Sequence, residues 1–364
     1  MKTKWMVFYS ILILLVLSAC VGTTDNLEET KPKKQTVQEQ AGGLKVHFID
    51  VGQGDATLLE LDEHTMLIDA GDWNATDVVD YLHEQGIEKI DIAVGTHPDS
   101  DHIGQLADVV NNFDVGEVWM SGNESTSNTF IETLEAIDAA GSDYYEPRAG
   151  EVFDLGDMKI EVLYPKEATG KANEESISFK LTYGEVRFVF TGDSGVKEEQ
   201  NMIDSGIDLD AEILHLGHHG SNTSTSAAFL KAVSPEVAVY SAGADNSYGH
   251  PHAEVLAAAE NAGAEVYGTD VNGTIIVETD GKTYSVVAQQ EGVTKEGKNR
   301  CVDLNKASSA ELQGIAGIGP AFAEDIIAER PFKKIEDLTK IKGIGPGKLK
   351  SIEEQGLACV GGTK

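Results

Sequence analysis

The sequence predicts a two-sheet α/β sandwich with helices on the outside, followed by a small all-α module. Three observations carry that prediction. Short β-rich runs outnumber helical ones and fall in two blocks between Leu44 and Gln290. A charged, glycine-containing stretch without an apolar face follows. Two Gly-Ile-Gly turns, each flanked by helical patterns, then occupy the C-terminal part. An apolar content of 41% in 364 residues is enough to fill more than one hydrophobic core.

At the start, Lys2 and Lys4 precede the apolar run from Trp5 to Leu17, which is short for a membrane span. With the small-residue ending Leu17-Ser18-Ala19-Cys20, residues 1–20 read as a secretory signal. That ending resembles a bacterial lipobox, which implies that Cys20 is the lipidated first residue of an exported protein. An uncleaved anchor is the alternative, and both readings predict an extracytoplasmic, membrane-anchored protein. Residues 21–43 are polar with little periodicity and should form a flexible tether.

In the first block, strands are expected at Leu44–Ile49, Thr57–Leu61, Met66–Ile68 and on the run ending at Gly95. Helices are expected at Asp77–Gln85 and from Ile103. The second block predicts strands at Met158–Leu163, Ile177–Tyr183, Val186–Phe190, Ala211–Leu216 and Val237–Tyr240. Helices at Thr129–Ala139 and Ala253–Ala262 lie between or after them. These elements make residues 44–290 one domain, with 291–300 as linker and 301–360 as the C-terminal module.

The net charge of −33 argues against a general polyanion-binding surface. It is unevenly spread. Between Val302 and Gly356 eight Lys/Arg face nine Asp/Glu, so the rest of the chain carries about −32.

The stretch Thr96-His97-Pro98-Asp99-Ser100-Asp101-His102 follows an apolar run and concentrates four potential metal ligands. Burying two imidazoles and two carboxylates together is unfavourable unless a cation compensates them. In an extended segment His97 and Asp99 face the same way and can share one ion, whereas Asp101 and His102 serve a neighbouring ion. Further ligands stand beyond other strands, at Asp193 and at His218-His219. Helix capping by Asp99 and Asp101 is the ordinary alternative, but it leaves the histidines unexplained.

Seven motifs occur in order. They are Asp50-Val51-Gly52-Gln53-Gly54-Asp55-Ala56, Leu67-Ile68-Asp69-Ala70-Gly71, Thr96 to Gly104, Asn173-Glu174-Glu175-Ser176, Thr191-Gly192-Asp193, Gly217-His218-His219-Gly220-Ser221 and Tyr248-Gly249-His250-Pro251-His252. Together they resemble the metallo-β-lactamase superfamily, specifically the hydrolase domain of ComEC-type DNA-uptake proteins. The resemblance implies an αββα fold and two divalent ions that activate a water against an ester or phosphodiester. By position it implies that His97 and Asp99 hold one ion, Asp101 and His102 the other, and Asp193 bridges them. One of His218 and His219 completes the second site. Asp101 and His250 are the catalytic candidates, His250 through substrate contact or protonation of the leaving oxygen.

Asp50, Gln53, Asp55, Asp69, Asn173 and Ser176 are candidates for orienting ligands or lining the site. Turn chemistry is an equal reading for Gln53, Asp55 and Asp69. Asp99 stands where the superfamily often has an imidazole, and Asn173 where it often has a histidine. A site poorer in nitrogen shifts the expected metal from zinc toward manganese.

In the C-terminal module, Gly317-Ile318-Gly319 and Gly343-Ile344-Gly345 each allow a tight turn that exposes amides at a helix start, an anion site. The segment looks like the helix-hairpin-helix DNA-binding domain of ComEA-type competence receptors. Lys342, Lys348 and Lys350 cluster by the second hairpin as candidate phosphate contacts. A purely structural or protein-binding module is the alternative. Cys301 and Cys359 bracket the module, and in an oxidising compartment they can close a loop of about 58 residues, a stabilisation of about 4 kcal/mol.

The leading expectation is a surface-tethered nuclease or phosphodiesterase that holds DNA by its backbone, without sequence preference. One alternative is a DNA-capture lipoprotein serving an uptake machinery with little catalysis. Another is a hydrolase of a cell-envelope phosphodiester or small ester, which the acidic surface favours.

Overall fold

Two sheets stack face to face because each contributes a row of large apolar side chains at alternate strand positions. In the computed structural model, residues 43–290 and 302–360 are described, apart from 245, 308, 313, 314, 316, 356 and 357. The expected signal segment with Cys20, the expected tether up to residue 42, the expected linker 291–300 and Cys301 lie outside the described residues.

The first sheet begins with β1 (Leu44–Phe48), β2 (Thr57–Leu61), β3 (His64–Ile68), β4 (Lys89–Gly95), β5 (Asp114–Met120) and β6 (Asp143–Tyr145). The second contains β7 (Val152–Leu155), β8 (Met158–Tyr164), β9 (Ser178–Tyr183), β10 (Val186–Phe190), β11 (Ile213–His215), β12 (Val237–Tyr240) and β13 (Glu265–Gly268). The chain then returns to the first sheet as β14 (Ile275–Thr279) and β15 (Tyr284–Ala288). The orders are β15-β14-β1-β2-β3-β4-β5-β6 and β13-β12-β11-β10-β9-β8-β7. Both sheets are mixed: β3 to β6 and β10 to β13 run parallel, and the remaining pairs are antiparallel.

Phe48, Trp119, Phe179, Phe188 and Phe190 fill the space between the sheets, each contributing about 2–3 kcal/mol by leaving water. A second apolar layer packs α1 (Asp77–Gln85), α2 (Leu106–Asn112) and α3 (Asn128–Ala140) on the outer face of the first sheet, through Leu82, Leu106, Val109 and Ile137. A third does the same for the second sheet with α4 (Val196–Asp204), α5 (Ala227–Val233) and α6 (Ala253–Ala262), through Met202, Phe229, Leu230 and Val255. This is the expected αββα arrangement. Ser127 and Ser226 cap α3 and α5 by accepting from Phe130 N and Phe229 N.

The helix expected from Ile103 starts three residues later. The amides of Gly104 and Gln105 donate instead to the carbonyls of Gly71 and Ala70, at 2.9 Å each, which draws this segment into a turn. A Cβ at Gly104 would fall 2.2 Å from backbone atoms of Asp72 and Trp73, so only glycine permits the approach.

The C-terminal module has a core of its own, including Leu304, Leu312, Ile318, Ile326, Leu338, Ile344 and Ile352. Its helices are α7 (Ser309–Leu312), α8 (Pro320–Ala328), a 3-10 turn at Ile335–Lys340 and α9 (Pro346–Gln355). Val302 and Asp303 pair in parallel with Ala358 and Cys359, drawing the two ends of the module together. Cys359 is disulfide-bonded. No helix among the described residues is long and apolar enough to cross a membrane.

Candidate functional site

The loops leaving β3, β4, β10 and β11 meet at one edge of the sandwich. Asp69, directly after β3, takes a left-handed conformation (φ 59°) that turns its carboxylate under the loop after β4. Oδ1 of Asp69 accepts from Thr96 N, and Oδ2 accepts from Thr96 Oγ1 and His102 Nδ1, each at 2.8 Å. The open alternative at Asp69 thus resolves in favour of an orienting role. The segment from His97 to His102 is not extended: the amides of His102 and Ile103 fold back to Asp99 O at 3.1 and 3.0 Å. That turn brings the rings of His97 and His102, expected to diverge, to 4.1 Å.

Hydrogen-bond bookkeeping fixes the tautomer of four imidazoles. Thr96 Oγ1 donates to Asp69 and Ser176 Oγ to Asn173 O, so both hydroxyls accept from His97 Nδ1, at 3.2 and 3.3 Å. His102 Nδ1 is protonated toward Asp69, and His219 Nδ1 donates to Ser241 O at 3.0 Å. Thr223 Oγ1 donates to Ser221, which leaves it to accept from His218 Nδ1 at 3.1 Å. In the neutral imidazoles the lone pair therefore falls on Nε2, and all four Nε2 atoms face Asp193 or Asp101.

Asp193, after β10, lies between them. Its Oδ1 is 3.4 Å from His102 Nε2. Its Oδ2 is 3.4 Å from His218 Nε2 and 3.8 Å from His97 Nε2. Asp101 Oδ2 is 3.6 Å from His219 Nε2, and Asp99 Oδ2 is 3.7 Å from His97 Nε2. The pair after β11 is thus divided, with His219 beside Asp101 and His218 on the His97 side. His218 gives that side a second imidazole, which offsets the nitrogen deficit expected from Asp99 and Asn173. The backbone supports the division at a cost: both histidines have positive φ, 52° and 55°, a conformation that costs about 1–3 kcal/mol in a residue with a Cβ.

A divalent metal fits this cluster. The Nε2 atoms of His97, His102 and His219 and Oδ1 of Asp193 are buried without a hydrogen-bond partner, an arrangement that is unfavourable unless they coordinate something. His97, His102 and Asp193 offer ligand atoms within 4.8 Å of one another, as do Asp101, His102 and His219. Burial opposes charge on His102, yet Asp193 and Asp69 outweigh it and hold the imidazole well above its usual range. Burial likewise pushes Asp193 up, and His102, His219 and His97 overcome it and hold the carboxyl well below its range. A divalent ion would supply the positive charge that protons otherwise supply here.

The remaining candidates divide. Asn173 Nδ2 reaches Asp193 Oδ2 at 3.5 Å, and Ser176 Oγ also accepts from Asp193 N at 3.1 Å. Asp55 is buried and accepts from Ser241 Oγ at 3.0 Å, which connects it through Ser241 to His219. Gln53 Oε1 accepts from Gly243 N, anchoring the loop that carries His250. Asp50 differs from the expected site-lining role: it is exposed and its Oδ1 accepts from Gly52 N, which is turn chemistry. His250 lies over the cluster, 5.5 Å from the His218 ring and 6.2 Å from that of His219. Burial, then the imidazoles of His219, His218 and His252, push it down to about 4.

In the C-terminal module Gly317 and Gly343 have φ of 71° and 103°, as tight glycine turns require. The helix after each hairpin reaches the other hairpin: the Phe322 ring approaches Gly343, and Lys348 Nζ donates to Gly317 O at 2.8 Å while lying over Phe322. Lys348 thus lends one of its three donors to joining the hairpins, and the side chains of Ile318 and Ile344 are buried in the module's core, so any contact of theirs with a phosphate is through the backbone. Gly319, Gly345, Lys342 and Lys350 remain at least partly exposed.

Sequence reasoning missed Ser241, Thr223 and Asn246, which hold ligand-bearing loops. Thr223 and Asn246 carried a signal, each lying two residues from a quoted motif.

A sequence profile of the Metallo-beta-lactamase superfamily matches residues 49–244, and one for the Helix-hairpin-helix motif matches residues 297–355. The chain is 29% identical over 252 residues to ComE operon protein 3 of Bacillus subtilis (strain 168), covering 64% of this chain and 32% of that protein. It is 32% identical over 230 residues to Competence protein ComA of Neisseria gonorrhoeae, covering 62% and 31%. Over 60 residues it is 47% identical to a Deoxyribonuclease of Thioalkalivibrio sp. (strain K90mix), covering 16% and 17%. The chain spans about a third or less of the length of these relatives. With a superfamily match over more than half its length and the loops of that match meeting at one sheet edge, the chain belongs to the metallo-beta-lactamase superfamily.

Proposed function

We propose that this protein is an extracytoplasmic, lipid-anchored phosphodiesterase that cleaves DNA held by its helix-hairpin-helix module. The observation that carries the reading is the convergence of four Nε2 lone pairs on Asp193 and Asp101, in a chain that also carries a DNA-binding motif. His97, His218, Asp99 and Asp193 would hold one divalent ion, and Asp101, His102, His219 and Asp193 the second. Two nitrogens and two oxygens in each set suit manganese or zinc. When bound, such ions supply Lewis acidity and activate a water for attack at phosphorus.

The chain's own residues do the positioning. Asp69, Thr96, Ser176, Ser241 and Thr223 keep protons on Nδ1 and so keep Nε2 free. Asn173 holds the outer oxygen of Asp193. His250 overhangs His218 and His219, where a ring nitrogen can meet the leaving oxygen. The glycine hairpins grip phosphates through backbone amides, without reading sequence. Leu17-Ser18-Ala19-Cys20 supports the anchor, and the competence names of the relatives support a place beside a DNA-uptake machinery.

The test is cleavage of labelled single- and double-stranded DNA, beside a chromogenic phosphodiester, with manganese or zinc. His97→Ala and Asp193→Ala should each abolish cleavage and leave DNA binding intact; cleavage surviving in both overturns the assignment. The charge of −33 favours a second reading, hydrolysis of a cell-envelope phosphodiester or small ester, in which the chromogenic substrate is cut and DNA is not.

A further inference from the structure

We propose that Tyr248 is a stacking platform for a nucleobase at the mouth of the metal cluster, which makes single-stranded DNA the preferred substrate; this rests on the phosphodiesterase reading above. Tyr248 is 66% exposed, the highest value among the exposed large apolar and aromatic side chains of the described residues. Its ring lies 5.9 Å from that of His250 with 22° between the planes. His250 in turn lies 6.2 Å from His219 at 21°. Three rings in near-parallel steps thus lead from solvent to an imidazole of the cluster, and the outermost has an open face.

The backbone that carries this exposed ring is anchored. Asn246 Oδ1 accepts from the amides of both Tyr248 and His250 at 3.1 Å. Asn246 Nδ2 donates to the carbonyls of Gly243 and His250. Gly243 N donates to Gln53 Oε1 at 3.2 Å, which fastens the loop to the turn before β2. A ring on an anchored loop has less conformational freedom to lose when a base covers it.

Charge supports stacking as the source of affinity. With about −32 carried outside the C-terminal module, counterion release contributes little at the hydrolase domain. Base–aromatic stacking needs no positive charge and tolerates any sequence. In a duplex each base face is covered by its neighbours, so an intact double strand cannot use Tyr248 without first unstacking.

The experiment compares wild type, Tyr248→Ala and Tyr248→Phe on a single-stranded oligonucleotide, on the same strand with abasic sites around the scissile phosphate, and on its duplex. Tyr248→Ala should raise KM for the single strand about tenfold with kcat nearly constant, and Tyr248→Phe should restore it. On the abasic strand the gap between wild type and Tyr248→Ala should close. Anisotropy of a fluorescein-labelled single strand in EDTA should show the same loss of affinity. Equal KM in wild type and Tyr248→Ala, or equal kcat/KM of wild type for single strand and duplex, overturns the inference. If wild type cuts no phosphodiester yet Tyr248→Ala weakens binding in EDTA, the phosphodiesterase reading fails and the stacking platform stands.

Discussion

Asp69 Oδ2 accepts a 2.8 Å hydrogen bond from His102 Nδ1, so a carboxylate outside the ring of Nε2 donors decides which nitrogen of His102 faces Asp193. The same carboxylate holds Thr96, which in turn meets His97. One side chain therefore aligns donors on both sides of the cluster.

Asp69→Asn should weaken divalent-metal binding about 10- to 100-fold, because the amide can present a donor to His102 and favour the wrong tautomer. Isothermal titration with manganese or zinc measures it. An unchanged affinity would remove Asp69 from the metal argument.

The division of the adjacent histidines predicts separable losses. His219→Ala should leave an ion at the side of His97 and His218, and His218→Ala should leave one at the side of Asp101 and His102. Metal content after dialysis should fall from about two equivalents to about one in each variant. Retention of both ions in either variant contradicts the division.

In the C-terminal module two side chains next to hairpin glycines, Lys342 before Gly343 and Ile318 after Gly317, should behave differently. Lys342→Ala should lower the slope of log affinity against log salt by about 1, with stability unaffected. Ile318→Ala should destabilise the module by about 2–4 kcal/mol, as a truncated core residue does. Salt-titrated DNA binding and thermal melts read the two effects. A Lys342→Ala slope equal to wild type would place the phosphate path elsewhere.

Glu212 supplies a pH test away from the metal cluster. Burial pushes its carboxyl up, but the guanidinium and amide of Arg187 outweigh that and hold it below the usual range. A lowered folded-state pKa gives stability that is present above the unfolded value, about 4.3, and lost as pH falls through the folded one. Glu212→Gln should therefore cost about 1 kcal/mol at neutral pH, after allowing for solvent screening, and much less near pH 3. Urea unfolding at the two pH values decides it, and an equal deficit at both would show that the ion pair contributes nothing.

Much of the sandwich is legible from periodicity. Asp77–Gln85, Ala253–Ala262, Thr57–Leu61, Val186–Phe190 and Val237–Tyr240 stand where apolar spacing predicts them. α4 was not foreseen because its inward face is partly acidic. Glu198 and Glu199 are buried, and Glu199 accepts from the amides of Thr225 and Ser226 ahead of α5, a use no hydrophobic pattern reveals. β6 and β7 are short edge strands with exposed positions, and so lack a strong alternation. At the site, the ligand types are visible in the sequence. Their sorting is not, because it depends on positive φ at His218 and His219 and on protons held by Ser176, Ser241 and Thr223.

The pairing of β1 with β14 sets Leu44 against Thr279 and Phe48 against Ile275. More than two hundred residues must be in place before the first strand acquires that neighbour, and contacts so far apart in sequence form slowly. The ion-binding loops, spread from Asp69 to His250, lie entirely inside this closure. A nascent chain halted before β14 would already contain every proposed ligand without the closed sheet that holds them, so the cluster takes shape only once nearly the whole domain has been made.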